Sequence, residues 1–482
     1  MEPLPRPPDG PAARADRTLG AVPTDLSPDA IAARTPADRD RVVDLVRLVA
    51  IGFVVIGHWL VAVVLVRDGE LVDARLIEVV PGTQPLTYLF QVMPLFFLVG
   101  GAVNLRSWRR ARDEGEPWTV WMRRRSRRLL GPLLPLLALW LPAALLLDVA
   151  GLPAEEVALA TQTAFLPVWF LAVYLLAIAL VPLTSALHDR FGAWVLVVAA
   201  AGTAAVDLAT RAEVPAIGYL NYLLVWGGIH QIGYLWQDRR LPERPTGQLG
   251  LVTGGVAGTL GLVLFAGYPV SVIALTGAPD NTDPPTLVLW TLAGAQLGLL
   301  LVARPALARW LERPRVWAPV VLGGSVIMTV FLWHMTAMVV VAALTHPTGL
   351  WPGVEQVDGL WWAMRPVWLA LCGLVLAGLV AVFRRFEEFA DPVPRHARVR
   401  TLVGLGASVV GLVLLLTGGL YTPQATGNLP FVALGLVLLG FASLGVLRPR
   451  PETARDADDE SDDESDDEPE VTDREISRRT AR

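Results

Sequence analysis

The chain has 482 residues, of which 53% are hydrophobic and only 18% charged, with a net charge of −5. A soluble protein of that length would form roughly two to four domains, but here uninterrupted apolar runs near bilayer length recur, the signature of a polytopic membrane protein. The small negative charge excludes a nucleic-acid binder that works by a global positive field, and the lone Cys372 excludes an internal disulfide framework or a cysteine-based metal cluster.

Residues 1–41 are polar and rich in Pro, Ala and Asp, with no short apolar core ahead of a small-residue cleavage site. No cleaved leader is expected, and the segment reads as a disordered cytoplasmic tail. Stretches of ~20 residues with few charges then predict twelve helical spans. They lie near 42–66, 84–105, 129–149, 163–186, 191–208, 216–236, 248–275, 285–303, 317–343, 363–383, 402–421 and 429–447. The runs at 248–275 and 317–343 are long enough to tilt or to break. All forty basic residues are arginine, and they alternate: the connections 105–128, 187–190, 237–247, 304–316 and 384–401 hold 22, the intervening ones 3. Positive-inside bias then orients the bundle with both termini cytoplasmic. The end of the chain, 448–482, contains the acidic run Glu452–Glu470; like charges repel and little there can collapse, so disorder is expected.

Ionisable residues inside a membrane are costly and are functional candidates by default. The first span carries Asp44, Arg47 and His58. Arg47 and His58 are eleven residues apart, so they share a face at an axial separation of about 16 Å. Asp44, one turn before Arg47, is placed to pair with it. His58 falls in the outer half of the membrane. His334, in the ninth span, runs in the same direction and falls at similar depth, where both imidazoles can face one cavity. The bland alternative for each is a histidine hydrogen-bonded inside the bundle, and His230 in the sixth span reads as structural or peripheral.

The connection at 105–128 is the strongest electrostatic feature, with Arg106, Arg109, Arg110 and Arg112 followed by Arg123, Arg124, Arg125, Arg127 and Arg128. Topogenesis and anionic-lipid contact explain basic residues there. A site for a phosphorylated donor explains them equally, because guanidinium forks match phosphate geometry.

With these residues in view, the sequence resembles the integral-membrane acyltransferase family 3. That family's first helix carries an aliphatic residue, D-x-x-R-x-x-A, an apolar run and a histidine. Asp44, Arg47, Ala50 and His58 follow that order, with ten residues between Arg and His. Its second-helix FF-x-(L/I)-S-G-(F/Y) element is met by Phe96 to Ala102, which keeps the Phe pair and a Gly and lacks the Ser and the last aromatic. Its R-x-x-R before the third span is met by Arg125 and Arg128 or by Arg124 and Arg127, with the following proline displaced to Pro132. Pro167–Leu171 is similar to the family's LWFL-type start of helix four, FLWHM around His334 to its Y-L-x-H segment, and Arg385, Phe386 and Glu387 to its R-x-x-E exit. The resemblance spans about 42–390.

The resemblance implies an all-α, polytopic membrane helix bundle, a ten-helix acyltransferase-3-like domain over 42–390. Two further helices (402–447) and the acidic tail lie outside it. It implies an enzyme of the plasma membrane that moves an acyl group, most often acetyl, from cytoplasmic acyl-CoA to a hydroxyl of a glycan, lipid-linked sugar or other envelope acceptor, with no metal. His58 then matches the catalytic histidine. Arg47 orients it or binds the donor; His334 binds acceptor, shuttles a proton or holds the acyl group in passage; and Arg124, Arg125, Arg127 and Arg128 are the candidates for the CoA phosphates. Two other classes stay open at this point: a transporter of a lipid-linked glycan or small solute, with the Asp, Arg and His groups as a proton relay, and a scaffold or sensor acting through its acidic tail. There is no GxSxG elbow, P-loop or HExxH motif. Gly254-Gly255 and Gly323-Gly324 read as close-packing positions between helices.

Overall fold

The computed structural model describes residues 27–447 apart from 38, 68–69, 274, 276, 347–350, 352–353, 388–397 and 423–428. The acidic C-terminal run and most of the N-terminal tail therefore lie outside the described residues. The part of the tail that is described departs from expectation: Pro28–Ala33 (α1) is a helical turn and a half. Ser27 caps it and proline occupies its first position, the arrangement that satisfies or removes the orphan amides of a helix start. Its Ile31 is buried, and Thr35 just beyond it accepts a 2.7 Å hydrogen bond from the Trp317 indole.

The bundle proper starts at Arg41–Val61 (α2), capped by the Asp40 carboxylate on the amides of Val42 and Val43. The predicted span to residue 66 ends five residues early. Ala62–Arg67 (β1) pairs antiparallel with Glu70–Arg75 (β2), because a Val-rich run suits a strand at least as well as a helix and Asp68-Gly69 is the strongest short hairpin signal. Val63 and Leu65, on one face of β1, are buried with Leu76 and Trp361. Among the described residues, this hairpin is the one sheet in an otherwise helical fold.

A single-turn region over 76–90 leads to Met93–Asp113 (α3). Trp118–Leu130 (α4) and Leu133–Val149 (α5) meet at a short break with a bend of 43°. Ala154–Phe165 (α6), Val168–Ala179 (α7) and Val181–Phe191 (α8), with Pro167 at the first break and Pro182 in the first turn of α8, are followed by Trp194–Arg211 (α9), Leu220–Gln237 (α10) and Pro245–Phe265 (α11). Leu287–Leu311 (α12) precedes Pro314–Ser325 (α13) and Ile327–Thr345 (α14), which break at Val326 within the predicted 317–343 run. Gly359–Phe383 (α15), Arg398–Gly418 (α16) and Phe431–Leu444 (α17) complete the chain. The predicted 105–128 connection is largely helix, since α3 runs on to Asp113 and α4 starts at Trp118.

Among the described residues, nine helical stretches are long and apolar enough to cross a membrane, ten if the bent α4–α5 pair is one span. The remaining two of the twelve predicted positions are filled by α17, which is short, and α10, which carries buried Asn221, His230 and Gln231. In α11, only 6% of the apolar window is buried inside the protein, and Phe265 at its end is 88% exposed. An apolar helix so exposed is solvated by lipid, not water. The protein is a multi-pass membrane helix bundle.

Close crossings rest on glycine. A Cβ at Gly101 of α3 would strike the His230 carbonyl of α10, and one at Gly233 of α10 would strike the Leu98 carbonyl of α3. Gly255 lets α11 lie against the backbone of α12 at Thr291 and Ala295, as expected of membrane helices that associate through small residues. Gly323 abuts Leu48 of α2, whereas Gly254 and Gly324 face open space. Helix α2 packs against α3, α12, α13, α14 and α15 and leaves Val49 and Ile56 exposed.

Candidate active site

Helix α2 carries its polar residues along one side and ends at the candidate site. Since α2 is unbroken from Arg41 to Val61, Arg47 and His58 lie about 16 Å apart along it, and the early helix end leaves His58 in the last turn. There its Nδ1 is 2.8 Å from His334 Nε2 of α14. The rings are nearly parallel, 7° between planes with centroids 5.1 Å apart. Two histidines 276 residues apart in sequence thus meet at one level of the bundle.

Their protons follow from their partners. His334 Nδ1 lies 2.6 Å from the Phe331 carbonyl, which can only accept, so Nδ1 carries the hydrogen. An unpaired charge inside a membrane bundle is costly, so both rings are taken as neutral. His334 Nε2 is then a bare acceptor, His58 Nδ1 must donate to it, and the lone pair of His58 stands on Nε2. That nitrogen makes no hydrogen bond among the described residues and is not sealed from its surroundings. The pair thus leaves one oriented imidazole nitrogen with a free lone pair.

Further residues hold it in place. The Trp59 indole donates to the His334 carbonyl at 2.9 Å. From α15, Arg365 donates to the Ala62 carbonyl at 3.0 Å and Trp368 to the Trp59 carbonyl at 3.1 Å, satisfying carbonyls that a helix end leaves without partners. The Arg365 guanidinium sits over Trp361 at 3.6 Å from the ring centroid. Sequence reasoning missed Arg365, although its signal was plain: an arginine inside a predicted span, flanked by tryptophans.

At the other end of α2, the expected Asp44–Arg47 pair does not form. Asp44 instead accepts from Arg39 Nε at 2.7 Å, because the chain turns at the Asp40 cap and brings Arg39 back over the first turn. Arg47 has no carboxylate partner among the described residues and lies 6.0 Å from the Phe96 ring. It is within electrostatic reach of Arg125, which also feels Arg128, Arg124 and Tyr174. The four arginines singled out on α4 divide. Arg124 forms an ion pair with Glu116, and Arg127 is buried. Arg125 and Arg128, one turn apart on a helix face, have no carboxylate partner among the described residues. Arg109, elsewhere in the basic stretch, is neutralised by Asp189 and Asp238. The structure therefore gathers Arg47, Arg125 and Arg128 toward one end of the bundle and the two histidines toward the other. Among the described residues no group of three or more His, Cys, Asp or Glu side chains is placed to hold a metal ion.

A model of the Acyl_transf_3 family, described as an acyltransferase domain, matches residues 40–384. The chain belongs to this acyltransferase family. The match takes in α2 through α15, and so includes His58, His334, Arg47 and the α4 arginines of the acyltransferase, while α16 and α17 fall beyond it. No curated protein and no solved structure gives a significant match to the chain. The protein is an enzyme that transfers acyl groups, built into a membrane.

Proposed function

We propose that this acyltransferase moves an acyl group, acetyl in the first instance, from acyl-CoA to a hydroxyl of a glycan, a lipid-linked sugar or another envelope acceptor in the plasma membrane, with His58 as the general base. The observation that carries this reading is the His58–His334 contact and the lone pair it leaves on His58 Nε2. A hydroxyl is a poor nucleophile near neutral pH, and a positioned imidazole raises its reactivity by typically ~10²–10⁴-fold. In the reaction, Nε2 takes the acceptor proton as the oxygen attacks the thioester carbonyl. The tetrahedral adduct then collapses, the C–S bond breaks, and the imidazolium returns its proton to the departing CoA sulfur. Throughout, His334 holds the Nδ1–H of His58 and so fixes which nitrogen faces the substrate.

Arg125 and Arg128, with Arg47, supply unpaired guanidinium groups for the CoA phosphates. This places the phosphates at the arginine-rich end, taken as cytoplasmic from the loop charges, with both termini on that side. The ~16 Å between Arg47 and His58 is then covered by the extended pantetheine arm and not by the protein. Membranes carrying the enzyme, given radiolabelled acetyl-CoA, are expected to transfer label to an alkali-labile product, and His58→Ala membranes holding the same amount of inserted protein are expected not to. Equal labelling by the variant would refute the role given to His58; no labelling in either would refute the donor.

A further inference from the structure

Where α16 and α17 meet the family domain, a groove of about 1230 Å³ opens at the arginine-rich end of the bundle. Its walls are apolar: Trp118 at the start of α4, Pro182 and Leu183 of α8, and Val403 of α16. Arg398 and Arg400, the first turn of α16, also line it. Arg400 donates to the Ala442 carbonyl of α17 at 3.0 Å, which ties the helix pair together at this end. Arg398 is exposed and has no acidic partner among the described residues. On the inner side, Arg123 of α4 donates to the Leu444 carbonyl at 3.2 Å, so the seam is a built junction.

The volume exceeds the ~300–1,000 Å³ of ordinary small-molecule sites. Its chemistry is two-part, with cations at one end and hydrocarbon-compatible walls along the rest. Basic pockets between membrane helices suit anionic lipid headgroups, and Trp118 has the amphipathic ring that settles at the level of headgroups. We propose that this groove is a binding site for one anionic phospholipid, whose phosphate lies against Arg398 and Arg400 and whose acyl chains run along Trp118, Leu183 and Val403. The other occupant to weigh is the acidic run Glu452–Glu470 of the same chain. It offers charge, but its apolar content is Ala454, Ala457 and Pro469, too little to cover such walls. The lipid matches both halves of the groove.

Native mass spectrometry of the full-length protein in detergent, offered phosphatidylglycerol and phosphatidylcholine with the same acyl chains, tests this. Wild type is expected to retain phosphatidylglycerol in preference. Arg398→Gln, which leaves the Arg400–Ala442 bond in place, is expected to lower that retention about fivefold, and the Arg398→Gln/Arg400→Gln variant to abolish the preference. Arg398→Lys/Arg400→Lys keeps the charge and is expected to restore it, which separates lost recognition from lost folding. Truncation after Arg450 and addition of inorganic phosphate are expected to change nothing. Equal retention of the two lipids, or an unaltered double glutamine variant, would overturn the proposal. So would displacement by inorganic phosphate alone, which would mark a free-phosphate site, or lipid retained only after truncation, which would make the tail the occupant.

Discussion

Two histidine constellations in this protein look alike in sequence and differ in the partner each imidazole takes. In one, His58 and His334 share a 2.8 Å contact between α2 and α14, and His58 Nε2 has no partner among the described residues. In the other, Asn104 of α3 donates to the Tyr174 hydroxyl at 3.2 Å and lies 3.1 Å from His230 Nε2 of α10. Here too polar atoms stay open, since His230 Nδ1 and Asn104 Oδ1 make no hydrogen bond among the described residues. Both contain a histidine in an apolar span. The first pairs two rings, so that one imidazole orients the other; the second joins α3, α7 and α10 beside the glycine crossing of Gly101 and Gly233. An intramembrane histidine is a candidate by residue type, and its partner, a second imidazole in one case and a helix-joining amide in the other, gives the two different expected roles.

The contrast breaks first at His58. His58→Ala is expected to lower acyl transfer by about 10²–10⁴-fold with unchanged membrane insertion, read as initial rates normalised to protein in the membrane. A loss below tenfold would mean that the free nitrogen is not the base. Next comes His334, whose role is to hold the Nδ1–H of His58. His334→Phe leaves that donor unmatched and is expected to cost about 10- to 100-fold in kcat. His334→Gln offers an amide oxygen in its place and is expected to recover most of the loss. If Phe and Gln are equally poor, His334 touches substrate itself and is not an orienting partner.

The meeting of the two histidines was legible in the sequence because depth along a span is arithmetic: rise per residue and a common direction put both at one level. Which partner each polar group takes was not legible, since periodicity reports a face and not its neighbour. Asp44 illustrates this. Its helical neighbour Arg47 is one turn away, yet the bond goes to Arg39, outside the helix, because the Asp40 cap turns the chain. The end of α2 was hidden for another reason: valines at 63, 64 and 66 extend an apolar run equally well as helix or strand, and only pairing with Glu70–Arg75 decides between them. Arg365 announced itself as a charge in a span, but the carbonyls it serves, of Trp59 and Ala62, are exposed as orphans only once α2 is known to stop there.

The scaffold half of the comparison predicts a change in stability without a change in chemistry. Asn104→Leu removes the donor shared by Tyr174 and His230, leaving buried polar atoms unmatched at a cost of about 1–3 kcal/mol. Thermal unfolding of the detergent-solubilised protein is expected to shift down accordingly, while kcat per folded molecule stays within about twofold of wild type. A variant of normal stability and tenfold lower kcat would move Asn104 from the scaffold to the donor path.

The smallest effect is expected at Asp44, which in this structure serves the start of α2. Its ion pair with Arg39 is partly solvent-exposed on both sides, and such pairs contribute less than about 1 kcal/mol. Asp44→Asn is therefore expected to shift the melting temperature only slightly and to leave both kcat and the KM for acetyl-CoA near wild type. The KM is the informative number. Arg47, on the same face of the helix, has no carboxylate partner among the described residues, so its charge is available to a phosphate whether or not Asp44 is ionised. A several-fold change in KM with stability intact would mean that Asp44 swings from Arg39 to Arg47 during turnover, giving the arginine end two arrangements.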